Sequence, residues 1–324
     1  MPATSPFRAW LAQHPPAAGA AVMATGILSV GLQMTGHEPL SLAVLALACV
    51  AWLALAADFV VRLLRERPRW VEEAGTPGAL TGVAATSVLG TRFSALGWQL
   101  VAEVALALAV VLWPWLLVLV VRNSPRPMPG SVFLCCVATE GLAVLGASVA
   151  KAEAAAWLAH TALVFFWLGL VLYLFALSRF DLRQVLEGQG DQWVAGGALA
   201  ICAVAGAKLV AVGNAGQYLW NEDDRGVLHT VTLALLAFDL AWYAVLLVAE
   251  LARPRLGYDV RRWSTIFPMG MTAAAMLSVA SALHAPELKV PGEALLWLAV
   301  AAWVAVAAGA VVDARAELRS TAPR

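Results

Sequence analysis

Charged residues are scarce in this chain. Asp, Glu, Lys and Arg make up 13% of its 324 residues, whereas soluble globular chains carry about 25%. Hydrophobic residues account for 61%, and the mean hydropathy is +0.78. The deficit of charge recurs along the whole length, which excludes a soluble domain held by a single hydrophobic anchor. The 21 basic and 21 acidic residues balance, so the composition gives no indication of a nucleic-acid partner.

Cysteine is also rare, and its spacing is not that of a metal or redox site. The chain has no C-x-x-C pair and no cluster of cysteine with histidine. We therefore expect the cysteines to be small buried apolar side chains, with no metal and no cofactor. The chain also lacks the H-E-x-x-H and G-x-S-x-G motifs, which disfavours an intramembrane enzyme. The four cysteines, all inside apolar runs, are Cys49, Cys135, Cys136 and Cys202.

Apolar stretches of membrane-spanning length recur through the sequence. A spanning helix needs about 20 mostly apolar residues, and ten stretches qualify. No connection between them is long enough for a separate domain, so we expect an all-α integral membrane protein with one transmembrane domain over residues 1–324. The predicted spans are 15–36, 40–65, 74–92, 97–122, 130–151, 153–178, 192–214, 226–252, 262–285 and 292–313.

The distribution of basic residues supports an even number of spans. With ten spans, 16 of the 21 Lys and Arg residues fall on the side that holds both termini. Cytoplasmic loops carry the excess of Lys and Arg, so both termini are predicted to be cytoplasmic. Five basic residues fall inside spans or on the opposite side, namely Arg92, Lys151, Lys208, Arg225 and Lys289.

Glycine is distributed unevenly between odd and even spans. The odd spans hold 16 glycines and the even spans hold five. Small residues let helix backbones approach closely, and lipid-facing helices have no such need. The pattern predicts five hairpins, with the odd helices forming an inner ring and the even helices an outer ring. Either the ring encloses a central path, or the glycines merely tighten a solid bundle.

Four segments, in order along the chain, resemble those of the tellurite-resistance/dicarboxylate transporter family. Pro16 to Ser29 is similar to its P-x-x-F-x-x-V-M-x-T-G-I-x-S opening, and Val137 to Leu145 to its V-A-T-Q-S-L-A-V-L segment. Residues 193–201 and 263–271 are similar to its W-x-x-x-G-A-L-A-I and W-x-x-x-F-P-x-G-M segments. The family includes plant slow anion channels and yeast malic acid permeases.

The resemblance implies a pore and an assembly. It implies ten helices in five hairpins around a central pore, and a homotrimer with one pore per subunit in the cell inner membrane. It also implies that Phe267, followed by the helix-bending Pro268, closes the pore. Thr25 and Gly26 of the first helix would lie on the anion pathway. The chain departs from the family pattern at Gly19, where the family has Phe, and at Glu140, where it has Gln.

Ionisable residues inside spans are costly and are candidates for function. Glu140 lies near the middle of the fifth span, and Lys208 lies in the outer half of the seventh. One interpretation makes Lys208 an anion attractor and Glu140 a titratable modulator. The other makes them a structural ion pair, or polar side chains that are packed and hydrogen-bonded. Asp239, on an even helix, is expected to form an interhelical or intersubunit bond. Three further residues lie nearer helix ends, where the polar group can reach water and needs no protein partner. They are Asp58, Glu103 and His160.

The function predicted from these observations is an anion channel or transporter. Its substrate would be a small anion such as a C4-dicarboxylate, chloride, nitrate or a tellurite-type oxyanion, and its surroundings would be membrane lipid. The alternative is a proton-coupled secondary transporter with Glu140 as its proton site. A non-transporting membrane subunit also remains open.

Overall fold

The computed structural model describes residues 19–123, 127–214, 222–254 and 258–320. The predicted start of the first span, with Pro16, lies outside these residues, as do Arg8, Arg126, Arg255 and Arg324. Within the described part the chain is helical, and its only β pairing is one isolated bridge between Met128 and Phe180.

Ten long helices account for most of the described chain. Two short helices, Arg67–Ala74 and Gln184–Glu187, and several 3-10 turns connect them. The long helices are α1 (Gly19–Met34), α2 (Glu38–Arg65), α3 (Thr81–Ala95), α4 (Gln99–Arg122), α5 (Leu134–Glu153), α6 (Ala156–Arg179), α7 (Val194–Asn214), α8 (Glu222–Ala252), α9 (Trp263–Ala282) and α10 (Lys289–Ser320).

Eight of the long helices, α2 and α4 to α10, are long and apolar enough to cross a membrane. The described parts of α1 and α3 are shorter, with 16 and 15 residues, or about 23 Å of helix. The third predicted span, 74–92, differs most from the structure. Its first residues end the short helix Arg67–Ala74, and Pro77 then opens a 3-10 turn, so that α3 begins only at Thr81.

Burial divides the long helices into two classes. In the membrane-length segments of α5, α7 and α9, 94%, 89% and 89% of the residues are buried, whereas the even helices bury between 11% and 33%. Most of α1 and α3 is buried as well. The exposed helices present large apolar side chains outward, which is favourable in lipid and unfavourable in water. The chain is therefore a multi-pass membrane protein. Examples of these outward side chains are Leu64, Leu100, Trp115, Val171 and Leu251.

Each buried helix packs against the exposed helix that follows it in the chain. The five buried helices also contact one another in the order α1, α3, α5, α7 and α9, and α9 returns to α1. Glycine makes these contacts close. A Cβ atom on Gly197 of α7 would lie 2.8 Å from the Pro268 ring of α9, and one on Gly26 of α1 would lie 2.9 Å from the Val88 side chain of α3.

Candidate functional site

A small cavity lies where the five buried helices meet. It has a volume of about 20 Å³, and each of the five helices contributes two or three residues to its wall. A space of this size holds about one water molecule, so this conformation has no room for a hydrated ion to pass. The wall consists of Ile27 and Val30 of α1, Ser87, Val88 and Thr91 of α3, Gly141 and Val144 of α5, Ile201, Val204 and Lys208 of α7, and Met271, Ala274 and Ser278 of α9.

Lys208 is the one charged side chain among these wall residues. It is partly buried, and no described acidic residue lies within salt-bridge distance of it. A second cation, the exposed Lys151 near the end of α5, is close enough to interact with it electrostatically. In its charged form, Lys208 therefore has no counter-ion among the described residues.

Hydroxyl groups supply the other polar atoms of the cavity wall. Ser87 donates a hydrogen bond to the Val83 carbonyl oxygen at 3.0 Å, and Thr91 donates one to the Ser87 carbonyl at 2.9 Å. Ser278 of α9 is the third such side chain. A hydroxyl can rotate and donate to a different acceptor, so these groups can solvate an anion that enters the cavity.

Phe267 continues the cavity-facing stripe of α9. It precedes Met271 by four residues, and Met271, Ala274 and Ser278 all line the cavity. Residues with this spacing share one face of a helix. Phe267 is 1% exposed and packs in the core, so its ring lies on the N-terminal side of the cavity in α9, while Lys208 lies near the C-terminal end of α7.

The depth of Phe267 depends on where α9 begins. The α-helix begins at Trp263 and follows a 3-10 turn over Val260–Arg262. Phe267 is therefore about 6 Å from the start of the α-helix. The ring therefore lies near the N-terminal end of α9 and not at the middle of that helix. Pro268 lies inside α9 and packs against Gly197 of α7.

Two candidate pathway residues of α1 are not part of the cavity wall. The Thr25 hydroxyl donates to the Ala21 carbonyl oxygen at 2.7 Å and accepts a hydrogen bond from Trp303 Nε1 of α10 at 3.0 Å. It therefore faces the exposed helix. Gly26 provides close contact with Val88. Their neighbour Ile27 lines the cavity instead, because successive residues of a helix point about 100° apart.

Glu140 is fully buried but faces away from the cavity. Its carboxylate lies against Gly169 of α6, where an added Cβ atom would come within 2.2 Å of Oε1. The next residue, Gly141, lines the cavity. The proposed ion pair between Glu140 and Lys208 is absent, because the two side chains lie on different sides of the inner helices. Among the described residues, no acidic side chain lines the central cavity.

The other ionisable residues within the predicted spans have structural positions. Asp239 of α8 accepts a hydrogen bond from Thr272 of α9 at 3.1 Å, which is the interhelical bond expected. Asp58 forms a 2.7 Å salt bridge with Arg62 near the end of α2. Glu103 and His160 are exposed on α4 and α6.

The structure also brings together a cluster that the sequence analysis missed. Cys136 and Glu140 of α5 meet Cys202 of α7, and one ligand atom from each lies within 4.8 Å of the others. All three side chains are fully buried. The available signal was the spacing of Cys136 and Glu140, which are one helical turn apart. The contribution of Cys202 depends on the packing of two helices and has no signature in the sequence.

A larger crevice lies outside the ring of buried helices. It has a volume of about 400 Å³ and a mostly apolar wall from α1, α2, α3, α4, the helix Arg67–Ala74 and the 3-10 turn that follows it. At one end, Arg62 bonds Asp58 and Glu73 at 2.7 Å each. No residue lines both this crevice and the central cavity, so the two spaces are separate.

Comparison with known proteins relates nearly the whole chain to one family. The sequence model described as "voltage-dependent anion channel" matches residues 13–311. An uncharacterized membrane protein, found in two strains of Mycobacterium tuberculosis, is 32% identical over 115 residues. That segment is 34% of this chain and 56% of each relative, so the match spans little more than half the length of these relatives.

Proposed function

This chain belongs to the voltage-dependent anion channel family, and we propose that it moves a small anion across the membrane through a path between its five buried helices. The observation that carries the proposal is the central cavity, whose one charged wall residue is Lys208. All ten long helices cross the membrane in this arrangement, as five hairpins. α1 and α3 are short, but exposed helices shield them from lipid along most of their length.

The chemistry of the cavity wall favours an anion over a cation. A cation path needs acidic side chains or converging carbonyl oxygens, whereas Lys208 and three hydroxyl groups offer hydrogen-bond donors. Glu140, the acid nearest in sequence to a wall residue, faces α6. One cation in an otherwise neutral wall also keeps binding weak, and an ion must leave a pore as easily as it enters.

Phe267 and Pro268 form the gate in this proposal. The Phe267 ring continues the cavity-facing stripe of α9, and the neighbouring cavity has room for about one water molecule. Opening requires the ring to leave the path. Pro268 provides a position at which α9 can bend, because proline removes one backbone hydrogen bond of the helix.

The wider setting follows from the family resemblance and the charge distribution. We place the single transmembrane domain in the cell inner membrane, in contact with lipid, with both termini in the cytoplasm. Each subunit of a homotrimer has its own path. C4-dicarboxylate, chloride, nitrate and tellurite-type oxyanions are the substrate candidates.

Ion flux in liposomes tests the function directly. The purified protein is reconstituted, a membrane potential is imposed, and currents are recorded with chloride, nitrate, a C4-dicarboxylate and tellurite in turn. We expect a current whose reversal potential follows the anion gradient. A reversal potential that follows the cation gradient would contradict the proposal. An absence of flux with every anion would favour a non-transporting subunit.

The proton-coupled alternative makes a different prediction in the same liposomes. It requires anion flux to be driven by an imposed pH gradient at zero membrane potential. We expect no such coupling, because the Glu140 carboxylate does not reach the central cavity. Uphill anion uptake driven by the pH gradient alone would restore that alternative.

A further inference from the structure

We propose that Cys136, Glu140 and Cys202 form a binding site for a soft divalent metal cation such as Zn²⁺, which clamps α5 to α7. This site is distinct from the central cavity, and the proposal does not depend on anion transport. The three ligand atoms all lie within 4.8 Å of one another. Each side chain is fully buried.

The separation of the two sulfur atoms suits a tetrahedral metal ion. The Sγ atoms of Cys136 and Cys202 are 3.6 Å apart. Two thiolates that bind one zinc ion at about 2.3 Å in a tetrahedron stand about 3.8 Å apart. Two thiols in van der Waals contact have a similar separation, so the distance alone does not distinguish a metal site from two packed thiols.

The carboxyl group of Glu140 supports a metal site independently of the two sulfur atoms. Neither of its oxygen atoms accepts a hydrogen bond of ordinary geometry from the described residues, and the group is fully buried. The Cys202 thiol is the potential donor beside it. A carboxyl group without hydrogen-bond partners is costly in the interior of a membrane protein. A bound cation would supply the missing interaction, and one carboxyl oxygen already lies within 4.8 Å of both sulfur atoms.

Charge balance selects the class of cation. A buried site is least costly when its charges cancel. On binding, the Cys136 and Cys202 thiols lose their protons, while Glu140 stays protonated and binds through its carbonyl oxygen. The site then carries two negative charges, which a divalent cation neutralises. Binding therefore releases two protons to the solvent. Two sulfur ligands favour a soft or borderline ion such as Zn²⁺ or Cd²⁺ over Mg²⁺ or Ca²⁺, which prefer sites made of oxygen atoms.

The site lies in the contact between the neighbouring inner helices α5 and α7, where Cys136 of one helix meets Cys202 of the other. Cys136 also approaches the Ala198 carbonyl oxygen of α7. Gly169 of α6 closes the site from the outside, and a Cβ atom there would collide with the carboxylate. A metal ion at this position would link α5 directly to α7, which raises the stability of the folded chain when the metal is present.

Cadmium is the probe for the test, because cadmium thiolates have an ultraviolet charge-transfer band. The full chain is expressed in cells grown with added Cd²⁺, so that the metal is present during folding, and is then purified in detergent. Metal content per chain and the band are measured together. We expect one tightly bound Cd²⁺ per chain and a higher melting temperature than for metal-free protein.

The two remaining cysteines provide matched controls. Cys135→Ser changes the residue next to Cys136, and Cys49→Ser changes a partly buried thiol on α2; both variants should keep the band. Cys136→Ser and Cys202→Ser should lose it. Glu140→Gln and Gly169→Ala keep both thiols and should weaken cadmium binding by at least about tenfold.

Two results would overturn the metal site. One is a folded wild-type chain that carries neither cadmium nor the charge-transfer band. The other is a band that persists in the Cys136→Ser and Cys202→Ser variants, or that disappears equally in Cys135→Ser. All four cysteines lie in the described part of the chain, so the band reports on these residues. Since the wild-type result decides by itself, a variant that fails to fold leaves the test valid.

Discussion

At the scale of single residues, Lys208 sets the sign of the charge in the central cavity. Lys208→Gln keeps a polar side chain of similar length but removes the only charge of the wall. We expect the anion current through liposome-reconstituted protein to fall by about tenfold or more. A positive charge in a narrow cavity attracts anions and raises their rate of entry by about 10 to 1,000-fold. Stability should change little, since no described acid is left unpaired.

The matched control for Lys208 is Lys151→Gln. Lys151 is exposed near the end of α5 and is not a wall residue. Its removal should produce a smaller loss of current that vanishes at high salt, because salt screens exposed charges. Equal currents in wild type and Lys208→Gln would remove Lys208 from the anion path.

The side chain of Phe267 is predicted to close the path. Phe267→Ala should raise basal anion conductance in a correctly assembled protein, because it removes the ring next to a cavity that holds about one water molecule. In a soluble core, Phe→Ala costs about 3–5 kcal/mol. Phe267 is 1% exposed and packs in the core, so its replacement should also lower the melting temperature, and the rise in conductance is the result that identifies a gate.

Phe166 offers a comparison with the same chemistry. It is fully buried on α6, which contributes no residue to the cavity wall, whereas Phe267 lies one helical turn before the wall residue Met271. Phe166→Ala should lower the melting temperature without raising conductance. If Phe267→Ala behaves in the same way, Phe267 is a packing residue and the gate lies elsewhere.

At the scale of secondary-structure elements, close approach between inner helices depends on glycine. Gly197→Ala would place a methyl group 2.8 Å from the Pro268 ring, which cannot rotate away. We therefore expect α7 and α9 to separate, with a lower melting temperature and altered conductance. Thermal unfolding in detergent and liposome currents measure the two effects.

Gly226 of α8 is the control for this substitution. Nothing lies within 4 Å of a Cβ atom built there. Gly226→Ala should therefore leave current unchanged and raise stability by up to about 1 kcal/mol, since alanine favours a helix over glycine. If both variants were equally stable, the close contact between Gly197 and Pro268 would not be needed for the packing of the five inner helices.

At the scale of the whole molecule, the distribution of basic residues predicts the orientation in the membrane. Reporter fusions at Pro39, Lys151, Asp223 and Lys289 should report an external position, because 16 of the 21 basic residues fall on the opposite side. Enzymatic reporters active on only one side of the membrane provide the measurement. A cytoplasmic signal at two of these four positions would overturn the ten-span topology.

Assembly is the second property of the whole molecule. The family resemblance predicts a homotrimer in which every subunit has its own path. Native mass spectrometry in detergent should give three times the 34.1 kDa chain mass. A monomer or dimer that retains full anion conductance would contradict this assembly.

Much of the fold follows from the sequence alone. Charge scarcity and the recurrence of apolar stretches predict a multi-pass helical membrane protein, and eight long apolar helices agree with this. The four ordered segments predict the family, which the match over residues 13–311 confirms. Such features are local or compositional, so they do not require knowledge of how the helices pack.

The tertiary structure decided which side chains meet. Glu140 and Gly141 are adjacent in the sequence, yet only Gly141 lines the cavity. Thr25 likewise faces α10, whereas Ile27 faces the cavity. The inner helices have protein on all sides, so no polar face marks their orientation in the sequence. Their rotation, and with it the meeting of Cys136 with Cys202, is fixed by packing between helices, because each residue turns the helix by about 100°.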